Sequence, residues 1–172
     1  MPLSPGDPAP WIEAVTPFNP RFSLATLGGR FTILVVFETA AAPETRAALA
    51  RLADAKLRRD DYRWKIFAVT ATAADIEDPL LAEVFPDQRV FLAADRRVAA
   101  ALNAREGGAI LPHWLVLDPQ TRVVGVGGLA RIDALIDMIS RLPRAPDFLG
   151  PDPRAPVLLV PHVLEPQLTR AL

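Results

Sequence analysis

Phe31-Thr32-Ile33-Leu34-Val35-Val36-Phe37-Glu38-Thr39-Ala40-Ala41-Ala42-Pro43-Glu44 is the stretch whose reading decides the fold. Seven apolar or β-branched residues in a row, without alternation, predict a strand covered on both faces. Glu38 to Ala42 reads as a short turn, and Pro43 opens a helix that runs to about Arg59. Proline suits a first helical position because its missing N–H has no partner there anyway. Ala42, at the expected N-cap, has no side-chain acceptor, so the first-turn donors need a partner from elsewhere. Leu49, Leu52, Ala53 and Leu57 share one face of this helix, with Arg46, Arg51, Asp54, Arg58 and Arg59 on the others.

Strands and helices alternate outward from this unit. Before it, Trp11 to Val15 and Phe22 to Leu24 read as a hairpin, behind a proline-rich arm over residues 1–10. After it comes a buried strand, Trp64 to Thr70, then two short helical pieces, Ala73 to Asp78 and Asp78 to Phe85, with Asp78 as a cap. Arg89 to Leu92 is a short strand, and a helix from Asp95 to about Arg105 ends at Gly107-Gly108. Trp114 to Leu117 and Arg122 to Val126 form a late hairpin around the turn Asp118-Pro119-Gln120-Thr121. Leu129, Ile132, Leu135, Ile136, Ile139 and Leu142 then form the apolar stripe of a final helix. This order predicts an α/β domain over residues 1–143, a thioredoxin-like mixed sheet with helices on both faces. Five prolines between Pro143 and Pro156 predict a linker over 144–156, and residues 157–172 read as the start of a following domain or an extension.

Composition narrows the chemistry. The 172 residues include no cysteine, which removes disulfides, thiolate metal ligands and thiol nucleophiles. A net charge of -1 gives no footprint for nucleic acid or for an anionic membrane surface. The longest apolar run is too short to span a bilayer, and the start has no secretory signal pattern, so a cytoplasmic location is expected. The serines lack a Gly-x-Ser-x-Gly context, and the glycine pairs at 28–29 and 127–128 are turns and form no phosphate cradle. His113 and His162, the only histidines, are too far apart in sequence to suggest a metal site, and no cofactor is expected. Trp11, Trp64 and Trp114 read as core or core-edge residues.

The order Phe37, Thr39, Ala42, Pro43, Glu44 resembles the peroxiredoxin family (AhpC/TSA, redoxin), whose motif runs Thr-x-x-Cys, often followed by Pro. Pro5-Gly6-Asp7-Pro8-Ala9-Pro10 resembles that family's opening segment, and Trp114 to Pro119 its late strand, so the likeness covers roughly residues 3–140. It implies that Thr39 stands at the threonine that helps hold peroxide, and Ala42 at the peroxidatic cysteine. The family's arginine before the late strand would fall near Leu111 or Pro112, and neither can lower a thiol pKa. Pro112 resembles the proline that precedes the matching strand in thioredoxins, which is cis there; here it is either a cis proline facing Ala42 or a trans strand opener. His113 is either an anion-binding group beside the helix N-terminus or a buried side chain with a backbone partner.

The resemblance implies a degenerate pocket of Thr39, Ala42, Pro43, Pro112 and His113, with no catalytic residue intact. Two functions follow as expectations. One is a non-catalytic binding domain for a small anion or a peptide. The other is a thiol peroxidase whose cysteine has been replaced at Ala42. Ala155 to Pro166 resembles the lead-in to a bacterial Fe(II)/2-oxoglutarate oxygenase domain, which implies a fused downstream domain as partner. A homodimer is the other expected partner.

Overall fold

The computed structural model describes residues 3–58, 60–93, 98, 101–102 and 110–149. A two-stranded hairpin comes first, β1 (Glu13–Ala14) against β2 (Phe22–Ser23). The organising unit follows as β3 (Phe31–Phe37) and α1 (Pro43–Asp54). Next come β4 (Trp64–Thr70), α2 (Pro79–Val84) and β5 (Val90–Leu92). The chain closes with β6 (His113–Leu117), β7 (Val123–Gly128), α3 (Ile132–Arg141) and α4 (Ala145–Leu149).

Five strands make one sheet in the order β5-β4-β3-β6-β7. β3 is parallel to β4, and β4 to β5, whereas β6 and β7 run antiparallel to their neighbours. All seven residues of β3 are buried, which explains its unbroken apolar run: it is the central strand, covered on both faces. Phe31, Ile33, Val35 and Phe37 face α1, α2 and α3, where they meet Leu49, Leu52, Leu81, Ile132, Leu135 and Ile139. Leu34 and Val36 face the other layer, built from Ile12, Leu24, Leu27, Val98 and Leu102.

α1 is shorter than the periodicity suggests. It ends at Asp54, and Lys56 sits at φ 45°, a left-handed turn that stops the helix before the expected Arg59. The Asp118 turn forms as expected, with Asp118 Oδ1 accepting from the N–H groups of Gln120 and Arg122 at 2.8 and 2.9 Å. The proline-rich arm is tied to the outer edge of the sheet: Gly6 N–H donates to Val123 O and Val123 N–H to Asp7 O. The helix expected over 95–105 and the segment over 150–172 lie outside the described residues, except for Val98, Ala101 and Leu102.

Two expectations are corrected. Trp11 is 92 % exposed and no part of the core, because the alternation along this strand turns Ile12 and Ala14 inward instead; Trp64 and Trp114 are buried. Residues 145–149, read as the beginning of a linker, form α4, whose Phe148 ring packs edge-on against Phe31 at 5.0 Å.

Candidate functional site

Parallel strands end together, so the segments that follow β3 and β4 meet at one end of the sheet, the place where α/β sheets bind ligands. Glu38 to Ala42 leaves β3, and Ala71 to Asp75 leaves β4. β6 enters from the opposite direction. The pairing of Val36 with His113 sets Pro112 beside the end of β3, next to the turn. Sequence order alone could not place Pro112 there; the antiparallel register does.

Asp75 holds this corner together, and sequence reasoning missed it. The residue is buried, in the short helical turn Ala73–Glu77, and three donors converge on its carboxylate. Thr39 Oγ1 donates to Oδ1 at 3.2 Å, Ala40 N–H to Oδ2 at 2.9 Å, and Thr70 Oγ1 to Oδ2. Thr39 Oγ1 also accepts from Ala41 N–H at 3.2 Å. Thr72 Oγ1 donates to Glu38 O at 2.9 Å, a second link from the β4 loop to the β3 turn. The only signal in the sequence was the spacing of Thr70, Thr72 and Asp75 straight after a buried strand, and it is shared with many loops.

Ala42 is the N-cap of α1, with extended backbone and no side-chain cap bond, as its chemistry requires. It is half-buried, and Pro43 beside it is exposed. Thr45, in the first helical turn, is fully buried, and its Oγ1 has no partner among the described residues. Among the described residues, the charges around this turn are mostly negative. Glu38 and Glu44 are exposed, and the guanidinium of Arg46 is paired with the Asp78 carboxylate. Burial raises the Asp78 pKa, but Arg46 and the N–H groups of Leu80 and Leu81 outweigh it and hold the carboxyl below its usual range. Arg46 thus braces α1 against the cap of α2, and its charge is spent on that pair.

The remaining residues expected here divide. Thr39, Ala42, Pro43 and Pro112 are brought to the same end of the sheet. The peptide before Pro112 is not cis, since no cis bond occurs among the described residues; Pro112 is the trans opener of β6, and its carbonyl accepts from Leu129 N–H at 3.3 Å. His113 alternates with Trp114 and therefore faces the layer opposite α1. It is buried, with Nδ1 2.6 Å from Leu111 O and Nε2 2.8 Å from Leu102 O. Neither ring nitrogen is free to reach a ligand at the helix N-terminus. Burial pushes its pKa below the ordinary value, against the two carbonyl contacts.

Among the described residues, no group of three or more His, Cys, Asp or Glu side chains could hold a metal ion, and no helix is long and apolar enough to cross a membrane. No protein-family model matches the chain, and no curated protein matches it. Solved structures do. A peroxiredoxin-like protein from Aquifex aeolicus superposes with a TM-score of 0.66 at 10 % identity, over 83 % of this chain and 89 % of its own. A thiol peroxidase from Chromobacterium violaceum gives 0.61 at 14 %, over 81 % and 87 %. The thioredoxin domain of a thiol-disulfide oxidoreductase from Bacteroides vulgatus gives 0.59 at 17 %, over 80 % and 99 %. At such identities the likeness establishes architecture alone: this chain has the thioredoxin-like fold of peroxiredoxin-like proteins and thiol-disulfide oxidoreductases.

Proposed function

We propose that this domain is a peroxiredoxin-like scaffold that has lost its thiol chemistry and acts by binding. The observation that carries this reading is Ala42 at the N-cap of α1 in a chain without cysteine. A methyl group has no lone pair to attack peroxide, and no neighbour restores one. Asp75 supports the reading further, because it ties the turn to the β4 loop through groups that need no sulfur. Of the two ligand classes expected, a peptide is favoured over a small anion. Glu38 and Glu44 would repel an anion at this turn, and Arg46 is already paired. The domain would be cytoplasmic and the N-terminal part of a larger Fe(II)/2-oxoglutarate oxygenase-type protein; the support for that context is the sequence of Ala155 to Pro166. An iron-binding His-x-Asp and a distant His encoded beyond Leu172 would be its mark.

The test is a peroxide-reduction assay with a thiol reductant. No turnover above the reductant's own background is expected, and saturable peroxide consumption by the purified chain would overturn the reading. The second reading, a thiol peroxidase with alanine substituted for its cysteine, is favoured by one feature, the retention of Thr39 beside an otherwise intact turn. Leu111 and Pro112, at the expected place of the arginine, count against it. Restoring the thiol with Ala42→Cys separates the two.

A further inference from the structure

His113 is a buried ionisable group that the proposed function does not use. Each of its ring nitrogens lies at hydrogen-bond distance from a backbone carbonyl, Nδ1 from Leu111 O at 2.6 Å and Nε2 from Leu102 O at 2.8 Å. A carbonyl oxygen only accepts. A neutral imidazole carries one N–H and can satisfy one of these oxygens; its other nitrogen then turns a lone pair toward the second. An imidazolium satisfies both. We propose that His113 is a proton-operated clamp on the Leu111-Pro112 segment beside the turn: neutral, it holds one of the Leu102 and Leu111 carbonyls; protonated, it holds both.

The placement gives the clamp something to act on. Leu111 and Pro112 flank the end of β3 through the pairing of Val36 with His113, and Pro112 O is also bonded to Leu129 N–H. A change at Leu111 O is therefore felt beside the turn that follows β3 and at the start of the last helical layer. Among the described residues, no charged side chain is paired with the ring. β3, β6 and β7 carry no other ionisable side chain, and neither do Ile12, Ala14, Leu24 and Leu27 in the covering layer. On β4, Lys65 alternates onto this face but pairs with Thr32, four positions along β3 from Val36. Glu38, at the near end, accepts from Ile110 N–H at 3.3 Å. With no carboxylate paired to the ring among these residues, burial favours the neutral form and lowers its pKa from 6.5. The sign follows: an unfolded chain takes up this proton first, so stability falls as pH drops below about 6.5 and levels off below the folded-state pKa. Acid closes the clamp at a cost to the fold. The clamp does not depend on what the turn binds.

The experiment is an NMR titration of the uniformly ¹⁵N,¹³C-labelled chain, from above to well below the ordinary histidine pKa. His162, the only other histidine, supplies a second ring signal for reference. The ring nitrogens of His113 should both become protonated with one midpoint below 6.5, and the carbonyl carbons of Leu102 and Leu111 and the amide of Leu129 should shift with that same midpoint. In His113→Asn, which cannot gain a proton, the shared step should vanish. A ring that stays neutral for as long as the chain remains folded would overturn the clamp. So would a ring that titrates while the two carbonyls do not follow, or a step that survives in the variant. Should the variant fail to fold, the ring and carbonyl signals of the unsubstituted chain decide alone.

Discussion

Asp75 sets the energetics of the candidate site more than Ala42 does. Three donors from the β3 turn and the end of β4 converge on one buried carboxylate, with no cation beside it among the described residues. Asp75→Ala would strand Ala40 N–H in a buried position and release two threonine hydroxyls, at a cost of about 3 kcal/mol in urea unfolding. Asp75→Asn, which keeps one acceptor oxygen, should cost less; equal losses would mean that the carboxylate is not what the donors need. The residue types at the turn were legible in the sequence, because Ala42 cannot cap and Pro43 must start a helix. Asp75 was not legible, since nothing in a one-dimensional reading brings residue 75 back to residue 40. His113 was half legible: its neighbours named it as part of the site, but strand alternation turns its ring to the other face of the sheet.

At the scale of elements, patterns with a single reading were realised and those dependent on partners were not. The unbroken run of β3 and the stripe of α3 form as expected, with Leu135 and Ile139 packed on the sheet. The end of α1 and the outward turn of Trp11 were decided by backbone geometry and by the packing of adjacent residues. β7 shows how one element constrains another. A Cβ at Gly127 would lie 2.5 Å from the Trp114 ring, and one at Gly125 would lie 2.7 Å from Met138 Sδ. Gly127 leaves room for the Trp114 indole and Gly125 for Met138, requirements hidden in the sequence, where Gly127 reads as part of a turn and Gly125 as an ordinary strand residue. Gly127→Ala should therefore destabilise the chain by about 1–3 kcal/mol, since overpacking must displace a buried ring. Far-UV circular dichroism under thermal melting would show the loss. An unchanged melting temperature would mean that Trp114 has another place to go.

For the whole molecule, the fold class and the layers were legible because alternation of strands and helices allows few arrangements, whereas the strand order within the sheet was not read. The boundary was not, because proline-rich sequence looks alike whether it links or packs. Phe148 against Phe31 and the buried Ala145 extend the fold past the expected edge at 143. A chain ending at Leu149 should accordingly be more stable than one ending at Pro143 by about 1–2 kcal/mol, given partial burial of one aromatic side chain. Equal urea midpoints would return α4 to the linker. On the proposed reading, a thioredoxin-like scaffold persists without the surroundings that activate sulfur. The Ala42→Cys variant puts this to the test through the thiol pKa, read from the pH dependence of its alkylation rate. Without a free arginine at the turn among the described residues, and with Glu38 and Glu44 there, the introduced thiol should titrate no lower than about 8.5, the value of an unperturbed cysteine, despite its place at a helix N-terminus. A pKa of about 6 or below, accompanied by rapid reduction of peroxide, would show that the turn still activates sulfur and overturn that reading.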